Sequence, residues 1–313
     1  MYNKYYYLLG MLLTLILSSW GFYAHKKINH VAVFTLPTQL ATFYKKHINL
    51  ITEKAVDADK RCYVDSLESP RHFIDVEKFD AGNMDSIPIH WSQATAKYHE
   101  RKLRARGIVP WQIYFTYQKL VKAFRENNTV AIIRHSADLG HYVSDAHVPL
   151  HTTQNYNGQL TGQIGIHAFW ETRLPEMFAE DYNLFVGKAY YLDNPLDSAW
   201  TIVRESNALV DDVLQLEKEL SETFPKHLQR SYITRNNVLI STYSDAYARA
   251  YHQRMQGMVE ERMRKSVQRT GSFWFSAWVD AGQPALKGKF NADQKVEQSD
   301  IQRGKIIGRE EWH

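Results

Sequence analysis

His141-Tyr-Val-Ser-Asp145-Ala-His147-Val-Pro149-Leu-His151, followed further on by His167-Ala-Phe-Trp-Glu171, is the stretch on which the reading of this chain turns. Five of its residues fall in the pattern His141-x3-Asp145-x5-His151-x15-His167-x3-Glu171, in a chain of 313 residues with 14 His. An x3 gap inside a helix sets two side chains about one turn apart on the same face, the reach needed to grip one ion. His141/Asp145 and His167/Glu171 are two such pairs. Pro149 stops the first helix and lets the chain turn so that His151 comes back toward the pair. His and carboxylate are what zinc takes when no thiolate is offered, so the pattern points to metal-dependent hydrolysis.

Outward from this stretch the dominant signal is helical. Pro37 precedes Leu40, Phe43, Tyr44, His47 and Ile48 at a 3–4 spacing, with proline near a helix start. Between Trp111 and Arg125, Ile113, Tyr114, Tyr117, Leu120, Val121 and Phe124 share one face. Trp200, Val203, Val210, Val213 and Leu214 do so in the next long segment. Tyr243, Tyr247, Ala250, Tyr251 and Met258 mark a late helix. No alternating run competes, so the expectation is an all-α, compact multi-helix domain of about eight to ten helices. Thr152 to Gly165, with Gly158, Gly162 and Gly165 among Asn and Gln, reads as a loop rimming the site.

The first 19 residues read as a secretory leader. Lys4 gives a weak positive start, Leu8 to Leu17 an apolar stretch, and Ser18 and Ser19 small residues at a cut. The apolar stretch is short of the ~20 residues a spanning helix needs. The domains expected are thus a leader over 1–19, one hydrolase domain over 20–284 and a polar tail over 285–313, with the mature chain exported to periplasm or exterior. The net charge of +4 is too small to suggest a nucleic-acid tracker. Cys62 is the one cysteine, so no intrachain disulfide forms.

Further ligand candidates lie upstream. Trp20-Gly-Phe-Tyr-Ala-His25 begins where the leader would end, and a cut there would expose an α-amine able to chelate metal with the Trp20 carbonyl. Asp57 and His72 follow, with Asp59 close enough to replace Asp57. Together these residues resemble the zinc-dependent phospholipase C and fungal-type single-strand-specific zinc nuclease superfamily, clearly from Trp20 to Glu171. The resemblance implies a cleft holding three zinc ions. Asp57, His72, His141 and Asp145 match the ligands of the first, and His151, His167 and Glu171 those of the second. Trp20 and His25 match the third, with Asp145 bridging. Asp57 and Asp145 are also the residues to which it points for catalysis. Asp59 and Asp75 are close enough in sequence to orient ligating imidazoles, or equally to be helix-start or surface acids. The Trp20-to-His25 gap and the Asp145–His151 segment look like the nuclease branch. Glu171 and the x15 gap before His167 look like the phospholipase branch, and the disulfides of the fungal nucleases are absent.

The implied activity is hydrolysis of phosphate esters by a zinc-activated water, of phospholipase C type. A nuclease cutting DNA or RNA is the alternative, and a non-catalytic zinc-binding protein the remote one. A nuclease wants stacking aromatics and basic side chains along the phosphates. The segment between His151 and His167 offers Tyr156 but no Lys or Arg, which favours a neutral or zwitterionic substrate. The partners expected are a phospholipid or nucleic-acid substrate and transient contact with a membrane surface; no protein partner is indicated. His90, His135 and His147 have no ligand slot, and Phe169 reads as core or pocket lining.

Overall fold

Where apolar residues recur every three or four positions, the chain coils. The computed structural model describes residues 22–235 and 238–286. It opens with α1 (Phe22–Ala32), α2 (Thr38–Lys46), α3 (Ile48–Lys54) and α4 (Asp57–Arg61), then short 3-10 turns between Ser69 and Ser86. There follow α5 (Trp91–Tyr98), α6 (Glu100–Arg106), α7 (Val109–Arg125) and α8 (Thr129–Ala146). A 3-10 turn (Pro149–Thr152) and a loop lead to a continuous helical run made of α9 (Ile166–Ala168), a π turn (Phe169–Arg173) and α10 (Leu174–Phe178). The rest is α11 (Pro195–Asn207), α12 (Val210–Thr223), the hairpin β1 (Arg230–Arg235) and β2 (Val238–Tyr243), α13 (Asp245–Arg254) and α14 (Met258–Asp280). The structure is mostly helical and compact. The expected leader, Trp20 and all but the start of the expected tail lie outside the described residues. Among the described residues no helix is long and apolar enough to cross a membrane.

Two apolar clusters make the interior. One gathers Tyr44, Trp111, Tyr117, Phe124, Trp200 and Trp274 from α2, α7, α11 and α14. The other gathers Leu150, Phe169, Trp170, Tyr247, Tyr251 and Val267 around the helical run and α13. Helix α8 contributes Leu139, Tyr142, Val143 and Ala146 to the first. Helix α1 contributes Ala24 and Ile28 to the second and Ala32 to the first. The candidate ligands therefore lie along the seam between the clusters.

Three features depart from the sequence reading, the first being that fourteen α-helical segments stand among the described residues where about eight to ten were expected. The segment from Trp200 to Leu214 breaks at Ala208–Leu209 into α11 and α12, and Tyr243 ends a strand instead of opening a helix. Ser244 causes the second break: its hydroxyl accepts from the Tyr247 N–H (3.2 Å), a side-chain cap that starts α13 after the strand. The hairpin is the one sheet among the described residues, with Arg230 opposite Tyr243 and Ile233 opposite Ile240. Its alternation is hidden because the face that buries Tyr243 also carries Tyr232 and Leu239 into solvent, so buried and exposed positions do not alternate as apolar and polar.

Candidate metal centre

Helix α8 begins at an Asn128 cap, whose side chain accepts from the Ala131 N–H (3.1 Å), and ends beside Pro149. Its last two turns carry His141 and Asp145, both without solvent exposure. The 3-10 turn beyond Pro149 points His151 back toward them. Its position is locked by a reciprocal pair of bonds: the Ile74 N–H donates to the His151 carbonyl (2.9 Å), and His151 Nδ1–H donates to the His72 carbonyl (2.9 Å). His167 and Glu171 sit in the helical run, four residues apart. Its π turn has a local cause, since the Pro175 ring would clash with the carbonyl four residues back, that of Glu171.

His25 reaches the cluster because α1 lies close against α8. A Cβ on Gly140 of α8 would fall on the Asn29 amide of α1, so only glycine permits this approach. Asn29 in turn donates to the Ala137 carbonyl (3.2 Å).

Three groups of side chains result, the ligand atoms of each lying within 4.8 Å of one another: His25, His141 and Asp145; Asp59, His72 and His141; and His151, His167 and Glu171. His141 Nε2 is 3.2 Å from Asp145 Oδ2, 3.3 Å from Asp59 Oδ1 and 3.0 Å from His72 Nδ1. His72 Nδ1 is 3.0 Å from Asp145 Oδ2. His25 Nε2 is 3.4 Å from Asp145 Oδ1 and 3.3 Å from Glu171 Oε1. Glu171 Oε2 is 3.1 Å from His151 Nε2 and 2.8 Å from His167 Nε2. Asp145 thus spans the first two groups, and Glu171 links the third to His25.

One expected residue falls elsewhere. Asp57 is 34% exposed, between Lys54 (3.3 Å) and Lys60 (3.4 Å), and takes no part in the cluster. Asp59 is buried and stands in the place expected for Asp57. Two residues along a helix turn through ~200°, so in α4 the first acid faces water and the second the interior. The catalytic role expected of Asp57 falls with its position. Asp75 is buried and paired with Lys78 (2.7 Å). His147 is buried and donates Nδ1–H to the Val143 carbonyl (2.7 Å), while His90 is exposed. Burial lowers the His135 imidazole to about 4. Tyr156 stands with its ring 6.0 Å from that of His167. Phe169 is core, stacked on Tyr243 at 3.9 Å.

The groups behind the ligands fix their orientation. A carbonyl only accepts, so the bond from His141 to the Ala55 carbonyl (2.8 Å) fixes a proton on Nδ1 and turns Nε2 toward the cluster. His151 is set the same way by the His72 carbonyl. Behind His72 stands Glu68, which the sequence reading missed although Glu68-x3-His72 repeats the spacing of the other pairs. Its carboxylate has no solvent exposure, faces His72 Nε2 at 3.6 Å, and is held by Arg61 (3.2 Å), Arg71 and the Tyr142 hydroxyl. Burial raises that carboxyl, but Arg61, His72 and Arg71 outweigh it and hold it well below the usual range.

These residues suit a divalent cation. Five imidazoles and three carboxylates form an all-N,O donor set of the kind zinc takes in hydrolytic sites. Both ring nitrogens of His25 are buried, and among the described residues neither makes a hydrogen bond. Burial lowers the His141 imidazole, yet Asp145 and Asp59 outweigh it and push it up to about 10. Burial likewise raises the Asp145 carboxyl, and the facing imidazoles hold it far down. The carboxylates call for positive charge at their centre, and burying three of them without it costs several kcal/mol each.

No protein-family model matches this chain, and no curated protein matches it.

Proposed function

We propose that this chain is an exported zinc-dependent phosphodiesterase of phospholipase C type, akin to the superfamily that its ligand pattern resembles. The observation that carries the reading is the sharing of ligands: three buried groups joined through His141, Asp145 and Glu171. Shared carboxylates suit closely spaced ions acting on one phosphate.

His151, His167 and Glu171 would hold one zinc ion, and Asp59, His72, His141 and Asp145 a second. His25 and Asp145, with Trp20, would hold a third. Zinc in such a site polarises a phosphoryl oxygen and lowers the pKa of water to ~7, making a nucleophile available at neutral pH. The chain's own work is preorganisation. Asp145 presents one oxygen to His25 and the other to His72 and His141, so a single carboxylate sets the spacing of two groups. The Ala55 and His72 carbonyls keep His141 and His151 in one tautomer. Residues 152–170, beside the third group, contain no Asp, Glu, Lys or Arg. That loop carries no charge of its own, and the neighbouring Arg230 bonded to it can meet a single phosphate, which favours a zwitterionic head group over a nucleic-acid backbone that calls for a track of cations. Lys4, Leu8 to Leu17, Ser18 and Ser19 support export.

The test is turnover by the mature, zinc-supplied protein on phosphatidylcholine and single-stranded DNA in parallel, with zinc per chain measured by elemental analysis. Phosphocholine release is the expected result. Acid-soluble nucleotides alone would place it with the nucleases, and bound zinc with turnover of neither would leave a non-catalytic zinc protein.

A further inference from the structure

The hairpin and the loop before His167 form a second feature, in contact with the ligand-bearing run. Leu160, Ile164, Leu228, Tyr232 and Leu239 are between 49% and 70% exposed, and all five lie in 152–170 or 224–244. Singly exposed apolar residues are ordinary; five large ones from two neighbouring segments are not.

The two segments are physically joined. Arg230 Nη2–H donates to the Ile164 carbonyl (3.2 Å), and its guanidinium lies 3.8 Å over the Tyr243 ring. Tyr243 stacks on Phe169, which lies midway between His167 and Glu171 in the ligand-bearing run. The hairpin is therefore rooted on the third ligand group. In the strand register Tyr232 stands opposite Ser241 and Thr234 opposite Leu239, on the same face as Arg230 and Tyr243. That face is buried on Phe169 at its base and carries Tyr232 and Leu239 into solvent farther along.

Charge separates the possible occupants. Residues 224–234 and 239–244 contain Lys226 and Arg230 and no acid, while 152–170 contain no charge. Protruding Leu, Ile and Tyr side chains with scattered cations and amides match a phospholipid surface. The apolar tips enter the acyl boundary, tyrosine sits at head-group level and the cations meet phosphate.

We infer that the exposed side chains of the hairpin strands, Tyr232 and Leu239 with Arg230, and the loop 154–165 are a membrane-docking rim that seats the metal cluster on a phospholipid surface. This rests on the phosphodiesterase reading and names the form in which its substrate is met: lipid in a bilayer.

The full zinc-supplied chain is tested against its Tyr232→Ser/Leu239→Ser and Leu160→Ser/Ile164→Ser variants. Binding is read by co-sedimentation with phosphatidylcholine vesicles, with and without phosphatidylglycerol. Turnover is read on vesicles and on soluble bis(p-nitrophenyl) phosphate. Each variant is expected to lose roughly ten-fold or more in vesicle affinity, given the apolar area withdrawn. The hairpin variant should keep its turnover of the soluble ester, which also shows that it is folded. Wild-type protein that ignores both vesicle types, or variants that bind like wild type, overturns the docking rim. So does self-association through the hairpin in place of vesicle binding. Vesicle binding without turnover of any phosphodiester would sink the enzymatic reading alone, so the two failures are distinguishable.

Discussion

His151 donates its Nδ1–H to the main-chain carbonyl of His72 at 2.9 Å, so one candidate ligand is oriented by the backbone of another. The two belong to different groups, and the bond ties the 3-10 turn after α8 to the segment after Ser69–Arg71. The cluster is thus coupled through main chain as well as shared side chains.

His141 stands in two groups and His151 in one, and this ranks their variants. His141→Ala, purified with zinc present, should carry less zinc per chain than His151→Ala. Both should weaken zinc binding by more than the ~10–100-fold that loss of an outer partner alone produces. Equal, full zinc content in His141→Ala would contradict the shared site.

The α4 acids give a sharper contrast. Asp57→Asn removes an exposed carboxylate between two lysines, worth ~0–1 kcal/mol, and should leave zinc content and turnover unchanged. Asp59→Asn removes a buried member of the cluster and should lower both. Zinc titration of the two variants decides the matter, and the reverse order would restore Asp57 to the site.

That contrast shows what was legible in the chain. His141, Asp145, His151, His167 and Glu171 could be placed together because each pair sits on one helix and Pro149 marks the turn between them. Asp57 and Asp59 could not be separated, since which acid faces inward depends on the phase of a five-residue helix with no periodic apolar stripe of its own. Helicity was legible from Ile113 to Phe124, where the buried face repeats over about three turns. The hairpin was not, because Tyr232 and Leu239 fill the positions where polar residues would have revealed a strand.

Glu68 gives a test of orientation apart from ligation. Glu68→Gln keeps the shape but removes the charge facing His72 Nε2 and the anchor of Arg61 and Arg71. Metal affinity, read by competition with a chelator, should fall ~10–100-fold. Zinc stoichiometry at saturation should stay as in wild type. A loss of stability with unchanged zinc affinity would make Glu68 purely structural.

Gly140 controls the distance between α1 and α8. Gly140→Ala sets a methyl against the Asn29 amide and should destabilise by about 1–3 kcal/mol through overpacking. It should also weaken the zinc held by His25, because α1 must give way. Asn29→Ala clears that space, so the double variant should recover much of the loss in Tm. Additive losses would mean that the two residues do not meet.

Acid sensitivity has a source outside the cluster. Glu205 receives a forked pair of bonds from Arg269 (2.6 and 2.9 Å) and one from Arg262 (3.1 Å). Arg262 also donates to the His147 carbonyl (2.9 Å), tying α14 to the turn that follows Asp145. Burial raises the Glu205 carboxyl, but Arg269, Lys265 and Arg262 outweigh it and hold it at about 2. The ordinary glutamate value is ~4.3, so the folded chain takes up this proton less readily than the unfolded one. The stability from Glu205 is therefore full above ~4.3 and drains away as pH falls toward the folded value. Glu205→Gln should lower Tm most near neutral pH, and the gap to wild type should close between about pH 5 and pH 2. Comparing the two proteins at each pH removes the shared titration of the cluster carboxylates. A gap that stays constant over that range would mean that the arginine fork contributes nothing through charge.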